Sequence, residues 1–148
     1  MKKILIIEDE ELIRNELKTL LETNGFLAAV LEDFTNPIEK IKLIKPDLIL
    51  MDINLPGCNG QSLLKTLRKD TNVPVIMLTS RVTEVDEVLS MSYGADDYIT
   101  KPYNPTILLL RIQNIFKRMA SSSNTLFYND IMVNPKKGIL EYQGSTLE

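Results

Sequence analysis

Histidine and tryptophan do not occur among the 148 residues of this chain, and cysteine occurs once, at Cys58. Without histidine no Ser–His or Cys–His nucleophile pair can be assembled, and no His-containing zinc site can form. A single cysteine excludes an intramolecular disulfide and suits a reducing compartment. Long apolar runs are missing as well. The N-terminal run stops at Ile7, and Glu8-Asp9-Glu10-Glu11 follow at once, so it is too short for a signal-peptide core or a membrane span. A cytoplasmic chain without membrane contact is therefore expected. Positive charge is not in excess either: the net charge is −3, which gives no general nucleic-acid footprint.

What is left for chemistry is carboxylates, lysines, hydroxyls and backbone groups, and oxygen ligands of this kind suit Mg²⁺ better than Zn²⁺. With 44% hydrophobic and 25% charged residues the balance is that of a globular protein, long enough for one well-packed domain and a small appendage.

Five apolar runs punctuate the first hundred residues, each followed by an amphipathic stretch. Residues 3–7 are β-branched and apolar, as a fully buried parallel strand should be. Leu12, Ile13, Leu17, Leu20 and Leu21 recur at helical spacing until Asn24-Gly25. Residues 27–31 make a second strand, and Asn36-Pro37 opens a helix lined by Ile38, Ile41 and Ile44. Lys45-Pro46 ends it, because the residue before proline is pushed out of the α region. Further strands are expected at residues 47–52, 73–78 and 97–100. Helices are expected around Leu63, Leu64 and Leu67, over residues 84–93 closed by Gly94, and over residues 105–119. Strands alternating with helices indicate parallel β-α-β units wound on both faces of one sheet. Residues 121–124 form a compositional break read as a linker. Residues 125–148 read instead as short strands separated by turns, a small antiparallel meander too slight to be stable alone.

In a doubly wound sheet, ligands bind beyond the carboxyl ends of the strands. The first strand ends in Glu8-Asp9, the third in Asp52, the fourth in Thr79-Ser80, and the fifth leads to Lys101-Pro102. Three carboxylates, a hydroxyl and an ammonium should thus converge on one edge. Packing gains nothing from concentrating like charges, whereas phosphoryl transfer to a carboxylate needs this set. A divalent cation relieves the repulsion, Lys101 can pair with a phosphoryl oxygen, Thr79 can donate its hydroxyl, and the backbone carbonyl of Asn54 offers a neutral metal ligand.

Several stretches carry a resemblance: Ile4-Leu5-Ile6-Ile7-Glu8-Asp9-Glu10, Pro46-Asp47-Leu48-Ile49-Leu50-Met51-Asp52 with Leu55-Pro56-Gly57 and Gly60, Pro74-Val75-Ile76-Met77-Leu78-Thr79-Ser80, and Gly94-Ala95-Asp96-Asp97-Tyr98-Ile99-Thr100-Lys101-Pro102. Together, over residues 1 to about 119, they resemble the receiver domain of bacterial two-component response regulators. The resemblance implies a doubly wound α/β fold with a five-stranded parallel sheet in the order 2-1-3-4-5, a histidine kinase as phosphoryl donor and Mg²⁺ as cofactor. It assigns Asp52 as acceptor, Glu8, Asp9, Asp52 and the Asn54 carbonyl to the metal, Thr79 and Tyr98 to a switch, and Lys101 to the phosphoryl group. Glu8 stands where many receivers have Asp, and the Lys101–Pro102 bond is expected to be cis.

The Asp96-Asp97-Tyr98 run with Arg111 and Arg118 resembles the OmpR/PhoB branch. There the fourth helix, fifth strand and fifth helix form a homodimer face, which would pair Asp97 with Arg111 and Asp96 with Arg118. A third pair of that branch is not reproduced, since Glu87 and Ile107 stand at its positions. On this reading residues 1–120 are the receiver, 121–124 the linker, and 125–148 the opening strands of a truncated winged-helix domain. DNA binding then belongs to the full-length protein, in which phosphorylation switches dimerisation and transcription. The other class of function is a phosphorylation-independent interaction module on the same fold. A haloacid-dehalogenase-like phosphatase would need a second Asp two residues after the nucleophile, where Asn54 stands. Plainer readings apply to Glu10-Glu11, as favourable charge at a helix N-terminus, and to Cys58, as a small loop residue.

Overall fold

The computed structural model describes residues 1–128, with residues 121–128 as backbone only. Met1–Leu108 forms one compact unit, which holds the whole sheet, and a second unit begins at Leu109. Five parallel strands, β1 (Lys3–Ile7), β2 (Leu27–Leu31), β3 (Leu48–Met51), β4 (Val75–Thr79) and β5 (Asp97–Thr100), lie in the order β2-β1-β3-β4-β5. The sheet order is therefore 2-1-3-4-5, as the family resemblance implied. Helices α1 (Glu11–Thr23), α2 (Pro37–Ile44), α3 (Gly60–Leu67), α4 (Glu84–Ser92) and α5 (Pro105–Tyr128) alternate with the strands. A two-residue antiparallel hairpin, Asn54–Leu55 with Cys58–Asn59, follows β3.

The apolar character of each strand tracks its place in the sheet. Ile4, Leu5, Ile6 and Ile7 of β1 are fully buried, as are Leu48 and Ile49 of β3 and Val75, Ile76 and Met77 of β4. Central strands covered on both faces have no solvent side to alternate toward. The outer strands β2 and β5 retain partly exposed positions. Side chains of this size gain about 1.5–3 kcal/mol each on full burial, so the three central strands carry much of the apolar stabilisation of the first unit. The register couples their ends: Ile7 lies opposite Met51, Met51 opposite Met77, and Thr79 opposite Thr100.

Local chemistry sets the helix starts. Asn59 caps α3 by accepting the Ser62 N–H at 3.0 Å, and Thr83 caps α4 by accepting that of Asp86 at 3.2 Å while donating its hydroxyl to the Asp86 carboxylate at 2.7 Å. Gly94 closes α4 with φ of 108°, a conformation open to glycine. The Lys101–Pro102 bond is cis.

One element departs from expectation. The last helix does not stop at residue 119 but runs through the stretch read as a linker, to Tyr128. Serine, asparagine and threonine cost only a few tenths of a kcal/mol each in a helix, and no glycine or proline interrupts the chain between Thr106 and Asn134. From residue 129 onward the expected antiparallel tail lies outside the described residues. Among the described residues no helix is long and apolar enough to cross a membrane.

Candidate functional site

The strand ends bring Glu8, Asp9, Asp52, Thr79 and Lys101 to one edge of the sheet. Asp52 follows the central strand β3, and its N–H donates to the Ile7 carbonyl at 3.1 Å, which locks it beside the end of β1. Glu8, Asp9 and Asp52 each present a carboxylate oxygen within 4.8 Å of the others. Glu8 and Asp52 are buried, while Asp9 is exposed on the rim. Three acidic oxygens at such spacing repel strongly unless cationic charge enters. Hard oxygen donors converging in this way fit a Mg²⁺ ion.

Part of the compensation is built in. The Lys101 ammonium lies 2.6 Å from Glu8 Oε1 and 3.0 Å from Asp52 Oδ2, and only 11% of its side chain is exposed. Burial pulls the lysine pKa down, but the hydrogen bonds to Glu8 and Asp52 outweigh it, so the pKa is raised and the charge retained. Burial pushes the Glu8 carboxyl up, against the opposing bonds from Lys101 and the Glu10 N–H. That N–H donates to Glu8 Oε2 at 3.0 Å, so both Glu8 oxygens are engaged. The longer side chain at position 8 thus reaches the lysine while its second oxygen is held by the backbone.

Asp52 is aimed as well as placed. Its Oδ1 accepts the Ile53 N–H at 2.6 Å, leaving Oδ2 toward Lys101. Beneath it Gly60 makes a close approach: a Cβ there would sit 2.0 Å from the Asp52 carbonyl oxygen. Only glycine fits at this contact, a requirement invisible in a sequence where Gly60 reads simply as a turn residue.

Thr79 is fully buried, and its hydroxyl oxygen accepts the Arg81 N–H at 3.3 Å. Tyr98 is buried too, and its hydroxyl donates to the Arg81 carbonyl at 2.8 Å. Burial first, then the Asp86 and Glu87 carboxylates, raise the Tyr98 pKa and keep that proton in place. The two expected switch residues therefore meet on one backbone residue, Arg81.

The Arg81 side chain extends the arrangement. Its Nη2 and Nε donate to the Asn54 side-chain oxygen at 2.7 and 3.2 Å, and its Nη1 pairs with Asp86 at 3.4 Å. Asp86 in turn stands beside Gln61, whose side-chain amide donates to the Asp86 carbonyl at 3.1 Å and the Ser90 hydroxyl at 3.2 Å. Gln61 and Ser90 are buried polar groups between α3 and α4, and sequence reasoning passed over both. The signal was there: Gln61 and Leu64 are three residues apart on one helix face.

The expected dimer residues fall in two groups. Asp96 and Asp97 lie in the first unit, and Arg111 and Arg118 on α5 in the second. Asp96 is engaged within its own chain, pairing with Arg68 at 3.3 Å and accepting the Val75 N–H at 2.9 Å. Arg68 also donates twice to the Gly94 carbonyl, at 3.0 and 2.8 Å. Asp97 accepts the Tyr98 N–H at 2.8 Å. Cys58 is half-buried, and burial raises its thiol pKa, which disfavours the reactive thiolate.

The family described as the response regulator receiver domain matches residues 4–113. The chain is 40% identical over 124 residues to the sensory transduction protein RegX3 of Mycolicibacterium smegmatis, covering 84% of this chain and 54% of that protein. It is 38% identical over 115 residues to the transcriptional regulatory protein CseB of Streptomyces coelicolor, covering 78% of this chain and 49% of that protein. The chain thus spans about half the length of these curated relatives. Among solved structures, the BeF3-activated receiver domain of Klebsiella pneumoniae RstA superposes with a TM-score of 0.72 at 34% identity, covering 75% of this chain and 95% of that one. A two-component response regulator from Clostridium difficile gives 0.77 at 32% identity, covering 80% and 98%.

Proposed function

Because the chain belongs to the response regulator receiver domain family, we propose that Asp52 accepts a phosphoryl group from the phosphohistidine of a sensor histidine kinase. The observation that carries this reading is the Lys101 ammonium held 3.0 Å from Asp52 Oδ2 on a rim of three converging carboxylates. Asp9, Asp52, Glu8 and the Asn54 carbonyl are the groups that would hold Mg²⁺. A bound Mg²⁺ supplies charge neutralisation for the transferring phosphoryl oxygens.

The chain's own groups have separable roles. The Ile53 N–H orients the Asp52 carboxylate, and Lys101 offers its ammonium to a phosphoryl oxygen. Thr79 accepts from the Arg81 N–H, so its own proton is available to a second phosphoryl oxygen. A shift of Thr79 toward that oxygen draws on the segment whose Arg81 carbonyl receives the Tyr98 hydroxyl, and the site is thereby coupled to α4 and β5. Val85 and Val88 of α4 are exposed apolar residues, a surface suited to a dimer in the phosphorylated state. Asp96 would pair there with Arg118 of a second copy only in competition with Arg68. In the longer protein that the relatives represent, this switch would govern DNA binding and transcription.

The test is intact-protein mass after incubation with acetyl phosphate, with and without Mg²⁺, beside Asp52→Asn. A single phosphoryl adduct requiring both Mg²⁺ and Asp52 is the expected outcome. A folded protein that takes no adduct from acetyl phosphate or from a purified histidine kinase would leave the phosphorylation-independent interaction module as the better reading.

A further inference from the structure

One cavity joins Asp52 to residues that the acceptor chemistry does not use. It is an open cleft of about 680 Å³, larger than a phosphoryl group requires. Beyond Asp52 and Lys101 its wall is made by Ile13, Glu16, Pro102, Tyr103 and Pro105. Ile13 and Glu16 are three residues apart on α1 and share a face. The Tyr103 phenol is half-buried, and burial raises its pKa with a further contribution from the Glu16 carboxylate, so the two groups are close and the phenol keeps its proton. The lining is strongly one-sided in charge, with Asp9, Glu10, Glu16 and Asp52 against Lys101.

We propose that the part of this cavity bounded by Ile13, Glu16, Pro102 and Tyr103 receives the leaving group of the phosphodonor, and that Glu16 selects a cationic nitrogen heterocycle over an anionic acyl group. This rests on the reading of Asp52 as acceptor. Apolar and aromatic walls suit a flat ring, and the carboxylate suits the positive charge that ring carries. Monophosphoimidazole protonated on its remote nitrogen is such a donor. An Asp52 oxygen bonds to phosphorus as the P–N bond breaks, the electron pair of that bond returns to nitrogen, and neutral imidazole departs with the proton it brought. Acetyl phosphate breaks a P–O bond instead, and acetate leaves as an anion whose charge develops beside Glu16. The carboxylate attracts the first donor and repels the second.

The experiment measures second-order rate constants for Asp52 adduct formation by quenched intact-protein mass, at fixed pH and Mg²⁺, with each donor. Glu16→Gln should lower the ratio of the monophosphoimidazole rate to the acetyl phosphate rate by about three-fold, and Glu16→Lys by about ten-fold, with both effects shrinking at high salt. Glu22→Gln, further along the same helix and outside the cavity wall, should leave the ratio unchanged. A rate that rises with acetyl phosphate while it falls with monophosphoimidazole cannot come from misfolding. An unchanged ratio in Glu16→Lys, with adduct still forming, would overturn the leaving-group site alone. No adduct on the wild-type chain with either donor would overturn the role of Asp52 and the site with it.

Discussion

Lys101 contacts Asp52 and Arg81 contacts Asn54 two residues further on, and the two cations are held in opposite ways. Lys101 is almost enclosed and spans two buried carboxylates at 2.6 and 3.0 Å. Arg81 leaves 39% of its side chain exposed and binds the amide of Asn54 and a carboxylate at 3.4 Å. The first contact lies in a low-dielectric setting where charge acts at close range, the second at a surface where water and salt weaken it. One cation belongs to Asp52 itself, the other to the hydrogen-bonded surroundings of Asn54 and Asp86. Under the proposed function, the difference separates what phosphoryl transfer needs from what passing a signal on needs.

The largest effect should come from Lys101→Met, which leaves Glu8 and Asp52 facing each other unneutralised. In EDTA it should cost about 3 kcal/mol in urea unfolding, and adduct formation should fall about 100-fold or more. Gly60→Ala tests geometry without touching charge. Its Cβ would meet the Asp52 carbonyl oxygen at 2.0 Å, so a loss of about 2 kcal/mol is expected, together with slower adduct formation as the acceptor is displaced. Arg81→Ala should cost less than about 1 kcal/mol, a loss that fades with added salt. If it cost as much as Lys101→Met, the contrast between the two cations would collapse.

The smallest effect is the alkaline one. The Lys101 pKa is raised above the ordinary lysine value of 10.5, so the folded state holds this proton more tightly than the unfolded chain does. The stability it contributes is complete below pH 10.5 and lost as pH rises through the folded-state value. The gap between wild type and Lys101→Met in urea midpoint should therefore narrow as pH rises through that alkaline window.

Much of this was legible in the sequence, because buried parallel strands leave a plain record. The runs at Ile4–Ile7, Leu48–Met51 and Val75–Leu78 are apolar without alternation, and each stops at a polar residue of the candidate site, Glu8, Asp52 and Thr79. Glu8, Asp52, Thr79 and Lys101 could be read as one edge for that reason. What could not be read depends on distance rather than residue type. Gly60 looked like turn chemistry, yet its role is contact with the Asp52 carbonyl. Asp96 looked free for a second protomer, yet the fold brings Arg68 to it from 28 positions away. Arg81 carries no signal of its own in the motifs, because a motif says nothing about an arginine anchored through both backbone and side chain. The helix past residue 119 was missed because a run of serines weakens a helix without ending one.

The buried Gln61–Ser90 contact changes what kind of joint exists between α3 and α4. Two apolar helix faces can creep past each other in small steps, since dispersion has no direction. An amide that must reach both a hydroxyl and a main-chain carbonyl has only a few seats in which every donor is satisfied. The seam is therefore directional: turning α4 away from this setting breaks the bonds from Gln61 to the Ser90 hydroxyl and the Asp86 carbonyl together.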